Sequence, residues 1–243
     1  MRAALLPAAA MALAVAALAF PAAAAPIRHR AHPVHHAATG ARDWSRIVVA
    51  TPEGGFRMGN PNARAKVVEY GSLTCPHCAA FSRTGEQPFI QAYVKSGRAS
   101  YEYRNFVLNN VDVVASLLAR CAGPGFFRVA DSLYATQTQW LQKAGAMTEA
   151  QRAQVNALPV GQRLGRVADL IGLADIAAHA GLPAARGKQC LADKGGVTRL
   201  GQIYQAGEKA GVDGTPTFFI NGAKADVNTW PSLEPLIRTA AGG

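Results

Sequence analysis

The chain has 243 residues and a formal net charge of +10 at pH 7. A basic chain could bind nucleic acid or an anionic membrane surface. Its 25 Lys and Arg are scattered over the whole length, without a basic stripe of interleaved aromatic residues, so the sequence argues against a nucleic-acid partner.

Residues 1–24 are predicted to be a secretory signal peptide. Arg2 gives a charged start, an apolar run follows over 5–20, and the small residues at 22–25 offer cleavage positions. Because Pro26 comes next, we expect cleavage just before Ala25. A retained membrane anchor is the alternative, but the apolar run is shorter than the roughly 20 residues that a spanning helix needs. Export is therefore expected.

Residues 25–45 have no apolar periodicity and are predicted to form a flexible tether. Four of the six histidines lie in it: His29, His32, His35 and His36. A metal-binding tract is an alternative, but nothing nearby fixes a ligand geometry, so no metal site is predicted.

Residues 46–108 are predicted to form the first part of the folded domain. Short strands are expected over 47–50 and 56–58, and longer ones over 66–70 and 99–106, with turns at the Gly- and Pro-rich segments between them. A helix is expected over 76–95, with Pro76 at its first position, where a missing N–H costs no hydrogen bond.

The motif Cys75-Pro76-His77-Cys78 opens that helix, directly after a strand. Cys75 would then lie over unpaired backbone N–H groups at the positive helix end, which favours the reactive thiolate. Redox chemistry at Cys75 is therefore the first hypothesis. A structural bridge or half of a zinc site is the alternative, but zinc needs two further ligands and the sequence has no second CxxC.

Residues 109–211 change in character and are predicted to be an all-helical insertion. Helical spacing covers 111–121, 126–143, 148–158, 162–180 and 197–210. Residues 212–243 then return to a strand over 217–220, a hairpin at Asn221-Gly222, a partner strand near Ala223 and a last helix over 229–239. This order predicts an α/β, thioredoxin-like fold with an inserted helical subdomain.

Over residues 46–240 the chain resembles the DsbA-type periplasmic thiol–disulfide oxidoreductases. The resemblance depends on the segment from Val67 through the Cys-Pro-His-Cys motif, on the loop from Gly214 to Phe218, and on a helical block of the right size between them. It implies that Cys75 is the exposed attacking thiol and Cys78 the shielded thiol that resolves the mixed disulfide. It also implies that Pro76 shapes the turn and that His77 places a donor or a positive charge near the sulfur.

The same resemblance implies further site residues. Pro216 would be cis, leaving the backbone of Thr215 free to pair with an extended substrate. Glu69 matches a buried acid that tunes proton transfer to the resolving thiol; an ion pair or a strand-end carboxylate is the alternative. Two positions depart from the family pattern: Tyr101 stands where a lysine usually pairs with the acid, and a threonine at 215 is commoner in the isomerases and reductases.

Cys121 and Cys190 are predicted to form a structural disulfide within the insertion. Export to an oxidising compartment favours this pairing over two buried free thiols. In the chain-entropy model, a bridge closing a loop of this length contributes roughly 4 kcal/mol.

The sequence therefore predicts an exported, monomeric oxidase of protein dithiols in the periplasm that needs no bound cofactor. Its substrates would be reduced or misoxidised exported proteins, and the resemblance implies a membrane quinone-linked reoxidase. A disulfide isomerase or reductase of the same fold is the first alternative. A chaperone-like peptide binder whose thiols are incidental is the second.

Overall fold

The computed structural model describes residues 42–243. The predicted signal peptide and residues 25–41 of the predicted tether lie outside the described residues. Asp43 already belongs to the fold, since its carboxylate accepts the backbone N–H of Ser45 and caps the short 3-10 turn Trp44–Arg46. The Trp44 N–H donates to the carbonyl of Lys95 at 3.1 Å, which ties this turn to the domain.

One mixed sheet of six strands forms the centre of the domain, in the order β1-β2-β4-β3-β5-β6. Its strands are Val48–Ala50 (β1), Phe56–Gly59 (β2), Ala65–Gly71 (β3), Ala99–Asn105 (β4), Thr217–Ile220 (β5) and Ala223–Ala225 (β6). β3 and β4 are parallel, whereas all the other neighbouring pairs are antiparallel. The strands lie within about one residue of the predicted ranges, because β-branched and aromatic runs between Gly- and Pro-rich turns mark them well.

The helix that follows β3 is not regular along its whole predicted length. It begins as Pro76–Phe81 (α1) and includes Gln87–Phe89 (α2), and the segments Ser82–Glu86 and Ile90–Val94 are wider, π-type turns. Pro88 lies between the two wide segments and has no N–H to donate. Periodicity alone did not reveal this widening.

Eight helices separate β4 from β5, which confirms the predicted helical insertion. They are Asn110–Cys121 (α3), Phe126–Ala135 (α4), Gln137–Gly145 (α5), Glu149–Ala157 (α6), Val160–Ile171 (α7), Leu173–His179 (α8), Ala184–Ala192 (α9) and Lys194–Lys209 (α10). The helix Trp230–Ala240 (α11) closes the chain after β6. The confirmed fold class is thus thioredoxin-like with inserted helices.

Three details of the insertion correct the sequence prediction. The helix predicted over 126–143 is broken at Thr136, and the one over 162–180 is broken at Gly172, whose φ of 83° no helix interior accepts. Helix α9 was missed. At the start of α6, Thr148 and Gln151 form a full capping box, because glutamine serves at the third position as well as an acid does.

Side chains alternate between the two faces of the sheet. Tyr101 and Tyr103 of β4 and Phe218 of β5 belong to the large core that the sheet shares with the helices. Tyr70 of β3 lies on the opposite face, in a smaller cluster with Phe106. Glu69, next to Tyr70, therefore points to the side of the main core.

Between residues 42 and 243, no single helix combines the length and apolarity that crossing a membrane requires.

Candidate active site

Cys75 occupies the N-cap position of α1, as the motif predicted. Its backbone is extended (φ −80°, ψ 124°), Pro76 is the first helical residue, and the Cys75 carbonyl accepts the N–H of Ala79 at 3.1 Å. No side chain caps this helix start. The free N–H groups of the first turn are therefore left to the Cys75 sulfur.

The loop before β5 meets this helix start from a position 140 residues further along the chain. The Thr215–Pro216 peptide bond is cis. The Thr215 carbonyl lies 3.1 Å from Cys75 Sγ and accepts a hydrogen bond from it while Cys75 is a thiol. The structure thus brings the motif and the proline loop together at one sulfur.

The prediction that Cys75 is exposed is wrong. Only 4 % of Cys75 is accessible, and Cys78 is fully buried. The two thiols are free, and the proline loop covers the first of them. A partner thiol can therefore reach Cys75 only along a narrow approach or after the loop moves aside.

Hydrogen bonds lower the pKa of Cys75 to about 5. The largest contribution comes from the thiol of Cys78, which donates to the Cys75 sulfur; burial opposes it, and contacts with Thr215 and with the backbone N–H groups of Cys78 and His77 assist. A thiolate is therefore the main form of Cys75 at neutral pH. The thiolate is the nucleophile in disulfide exchange.

Cys78 behaves in the opposite way. Burial raises the pKa of Cys78 well above its ordinary value, and its hydrogen bond to Cys75 and the charge of Glu69 act in the same direction. One helical turn therefore holds an ionised sulfur and a protonated one. This asymmetry matches an attacking thiol and a resolving thiol.

His77 is exposed, and it acts on Cys75 through its backbone N–H, which is the smallest of the contributions that lower the pKa of Cys75. Within the described residues 42–243, the His77 ring forms no hydrogen bond with the Cys75 sulfur. The charge or donor expected of the ring stays a prediction.

Glu69 lies in β3 beneath the two cysteines and is only 1 % exposed. The hydroxyl of Tyr101 donates to its carboxylate. Tyr101 thus occupies the position at which the family resemblance places a lysine, and it binds the carboxylate with its hydroxyl. Burial raises the pKa of Glu69 to about 8, and the negative charge of Cys75 contributes, although the hydrogen bonds from Tyr101 and Cys78 oppose the shift.

Sequence reasoning missed the side chains that hold the loop before Cys75. Asp112 of α3 accepts the Ser72 hydroxyl at 2.6 Å and the Leu73 N–H at 2.9 Å. Gln137 of α5 donates its side-chain amide to the carbonyls of Leu73 and Cys75, at 2.8 and 3.0 Å. The inserted helices therefore fix the loop that presents the nucleophile.

A cleft of about 440 Å³ lies beside the proline loop. It is lined by Asp213 to Thr217 and by residues 224–228 of the hairpin region. The Thr215 hydroxyl is buried, and the group on which it acts is the Cys75 sulfur, whose pKa it lowers. A larger cleft of about 700 Å³ lies against Lys66 and Tyr70 and so opens on the opposite face of the sheet, away from the cysteines. Of these two clefts, the smaller one includes Thr215, which contacts Cys75.

Cys121 at the end of α3 and Cys190 in α9 form a disulfide. It crosslinks two helices of the insertion and closes a separation of 69 residues. The bridge does not include the thiols of the motif.

Comparison with known proteins agrees with this geometry. The model of the thioredoxin family matches residues 51–239. A crystal structure of a protein-disulfide isomerase from Novosphingobium aromaticivorans is 30 % identical, with a TM-score of 0.69 over 77 % of this chain and 97 % of that one. The alpha-DsbA1 of Wolbachia pipientis is 22 % identical, with a TM-score of 0.62 over 80 % and 94 % of the two chains, and so is similar in fold.

Among curated proteins, one from Rickettsia prowazekii, named as a candidate protein-disulfide oxidoreductase, is 28 % identical over 172 residues. The match covers 70 % of this chain and 55 % of the relative. The chain thus spans about half the length of that relative.

Proposed function

We propose that this chain, which belongs to the thioredoxin family and folds like the DsbA-type oxidoreductases, exchanges disulfides with protein dithiols through Cys75. The observation that carries the proposal is the opposite protonation of two sulfurs in one helical turn. Cys75 has a pKa of about 5, whereas the pKa of Cys78 lies well above its ordinary value. An attacking thiolate beside a protonated resolving thiol is the arrangement that such exchange requires.

The reaction has two steps. A substrate thiolate attacks Cys75 of the Cys75–Cys78 disulfide, and Cys78 leaves with the electron pair and takes up a proton. A second substrate thiolate then attacks the substrate sulfur bound to Cys75, and Cys75 leaves as a thiolate. The substrate dithiol is oxidised and the cysteine pair is reduced.

We favour the direction in which the chain oxidises its substrates. The hydrogen bonds that stabilise the Cys75 thiolate exist only in the reduced protein, so they make its disulfide a stronger oxidant. The cleft beside the proline loop gives an extended peptide a place next to the backbone of Thr215. We further propose that the substrates are reduced or misoxidised exported proteins and that the chain acts as a monomer in the periplasm. A membrane quinone-linked enzyme would reoxidise it.

Isomerase or reductase activity is the second candidate. Two observations favour it: the structural relative from Novosphingobium is described as a protein-disulfide isomerase, and Thr215 precedes the cis proline. Equilibration with glutathione distinguishes the two functions. An oxidant holds its disulfide at a potential well above the roughly −270 mV of thioredoxin, whereas a reductase has a potential near or below that value.

The proposal is tested by oxidation of a reduced two-cysteine peptide. Cys75→Ser removes the nucleophile and should abolish turnover, while a variant with serine at both Cys121 and Cys190 should keep it. Turnover by Cys75→Ser at the wild-type rate would refute the assignment. Peptide protection that persists without Cys75 and Cys78, in the absence of any exchange, would favour the chaperone-like alternative instead.

A further inference from the structure

Three carboxyl groups extend from the thiol site toward the surface. Glu69 of β3 is 1 % exposed and Glu86, in the first π-type turn, is 4 % exposed, while Asp131 of α4 is only half-buried. The family resemblance gives a role only to Glu69. Carboxylates are seldom buried unless they are paired or protonated, so the other two need an explanation.

Tyr101 marks the place where these elements meet. Its hydroxyl donates to Glu69, and its ring lies 5.4 Å from Phe89 and 5.2 Å from Phe127, measured between ring centroids. Glu86 lies one helical turn before Phe89, and Asp131 lies one turn after Phe127. The segment that carries Glu86 packs against α4, and a hydrogen bond between the two carboxyl groups raises the pKa of Glu86 and lowers that of Asp131.

A hydrogen bond between two carboxyl groups requires a proton on one of them. The second oxygen of Glu86, Oε1, is buried without a hydrogen-bond partner anywhere in residues 42–243. The titratable groups that act on Glu69 are Tyr101, Cys75, Cys78 and Asp131, and those that act on Glu86 are Asp131 and Glu69. Tyr103 and Tyr134 lie close enough for the charge of Glu69 to act on them. None of these groups is a cation that could neutralise a buried carboxylate.

We propose that Glu86 and Asp131 share one proton and that Asp131, the end nearer to solvent, is a positioning residue whose charge adds to the burial that keeps Glu69 protonated for the exchange reaction. The inference rests on the proposed function and extends it to two residues outside the motif. Asp131 adds its negative charge to that of Cys75 in acting on Glu69. Glu86 holds the proton that binds Asp131 in place.

In the first step of the reaction, a bond forms between the substrate sulfur and Cys75 Sγ, and the bond between Cys75 Sγ and Cys78 Sγ breaks. The released Cys78 thiolate takes the proton of the Glu69 carboxyl group. Glu69 becomes a carboxylate that still accepts the Tyr101 hydroxyl, and it later regains a proton from solvent. A protonated Glu69 is therefore needed at the start of every cycle.

The acidities of the three groups agree with this arrangement. Burial raises the pKa of Asp131 to about 6, and the hydrogen bond to Glu86 opposes the shift. Burial raises the pKa of Glu86 well above its ordinary value, with the charge of Asp131 as the next cause. The charge of Asp131 also contributes to the raised pKa of Glu69. At neutral pH the charge of the pair therefore lies on Asp131, while Glu86 and Glu69 hold protons.

The test follows the titration of Glu69 in the reduced full chain by its infrared carboxyl band, assigned by difference from Glu69→Gln. Asp131→Asn removes the charge and should move the Glu69 midpoint down from about 8. Glu86→Gln keeps a hydrogen-bond donor to Asp131 and should leave the midpoint in place. Asp169→Asn, an exposed acid of α7, is the matched control, and thermal unfolding checks that each variant folds.

An unchanged Glu69 midpoint in Asp131→Asn would overturn the inference. An equal downward shift in Glu86→Gln would also overturn it, because the pair would then act only through structure. In the oxidised chain, the alkaline fall in the rate of mixed-disulfide formation should likewise come at a lower pH in Asp131→Asn than in the wild type. Since the infrared band needs no turnover, a wild-type chain that failed to exchange disulfides would refute the proposed function and leave this inference to its own test.

Discussion

At the scale of single residues, the chemistry depends on two cysteines that differ in acidity although they are one helical turn apart. Cys75 receives hydrogen bonds from Cys78 and from backbone N–H groups, so its thiolate is stabilised. Cys78 is fully buried and donates to Cys75, so its thiol is stabilised. The Cys75 thiolate thus accepts the hydrogen bond that the Cys78 thiol donates, so each protonation state stabilises the other.

Glu69→Gln tests the proton donor of this site. The variant cannot give a proton to the released Cys78 thiolate, so the rate of mixed-disulfide formation should fall by about 10²-fold, the lower end of what a positioned general acid contributes. Stopped-flow measurements with a thiol peptide provide the rate. Glu102→Gln changes a buried glutamate of β4 that is bonded to Arg104 and Thr51 on the other face of the sheet, so it should leave the rate unchanged.

An equal loss of rate in both variants would show that any buried charge in the sheet matters and that Glu69 has no special role.

Much of the site at this scale could be predicted from the sequence, because a short motif places Cys75, Cys78 and Pro76 in one turn. The contribution of Tyr101 to Glu69 could not, since it depends on the register of two parallel strands. Glu86 and Asp131 gave no signal either, because nothing local marks a carboxyl group that will be buried. The burial of Cys75 was missed for the same reason.

At the scale of elements, the inserted helices fix the loop that carries the nucleophile. Asp112 of α3 binds the loop from one side, and Gln137 of α5 binds it from another. The Tyr134 hydroxyl of α4 donates to the Ser72 carbonyl at 3.1 Å. The insertion is therefore part of the active-site scaffold as well as a cover for the sheet.

Asp112→Asn tests this role of α3. The Asp112 carboxylate accepts from both the Ser72 hydroxyl and the Leu73 N–H. In the variant, one of these two donors would face the N–H₂ of the asparagine amide and would lose its acceptor. The free energy of unfolding should fall by roughly 1–3 kcal/mol, the cost of a buried polar group left unsatisfied. Chemical denaturation of the reduced chain measures this change.

Asp175→Asn, which lies in α8 and is outside this network, is the comparison and should change stability by less than about 0.5 kcal/mol. Equal stabilities of the two variants would contradict the scaffold role of Asp112.

Sequence patterns predicted the elements well where local chemistry decides them. Asn221-Gly222 marked the hairpin between β5 and β6, and the strand ranges were close. The breaks at Thr136 and Gly172 were missed because apolar spacing continues across them while the helix axis turns to pack on its neighbours. A short helix such as α9 is defined by tertiary packing more than by its own periodicity.

At the scale of the whole molecule, a disulfide joins α3 to α9 across the insertion. Serine at both Cys121 and Cys190 should lower the free energy of unfolding by about 4 kcal/mol in the chain-entropy model. Unfolding by guanidinium measures the loss. The pKa of Cys75 should stay where it is in the wild type, since the bridge contributes none of the groups that act on that sulfur.

An unchanged free energy of unfolding would show that the bridge is not formed, or that strain in the folded state offsets the entropy that the bridge removes from the unfolded chain.

The account depends most on the acidity of Cys75 in the reduced protein, which thiolate absorbance measures across pH with Cys75→Ser as the blank. The folded protein lowers this pKa to about 5, so the stabilisation of the reduced form is complete above the unfolded value of about 8.5 and is lost as the pH falls through 5. We predict a midpoint near 5 and a thiolate in about 100-fold excess over the thiol at pH 7. A Cys75 that is still protonated at pH 7 would contradict the account.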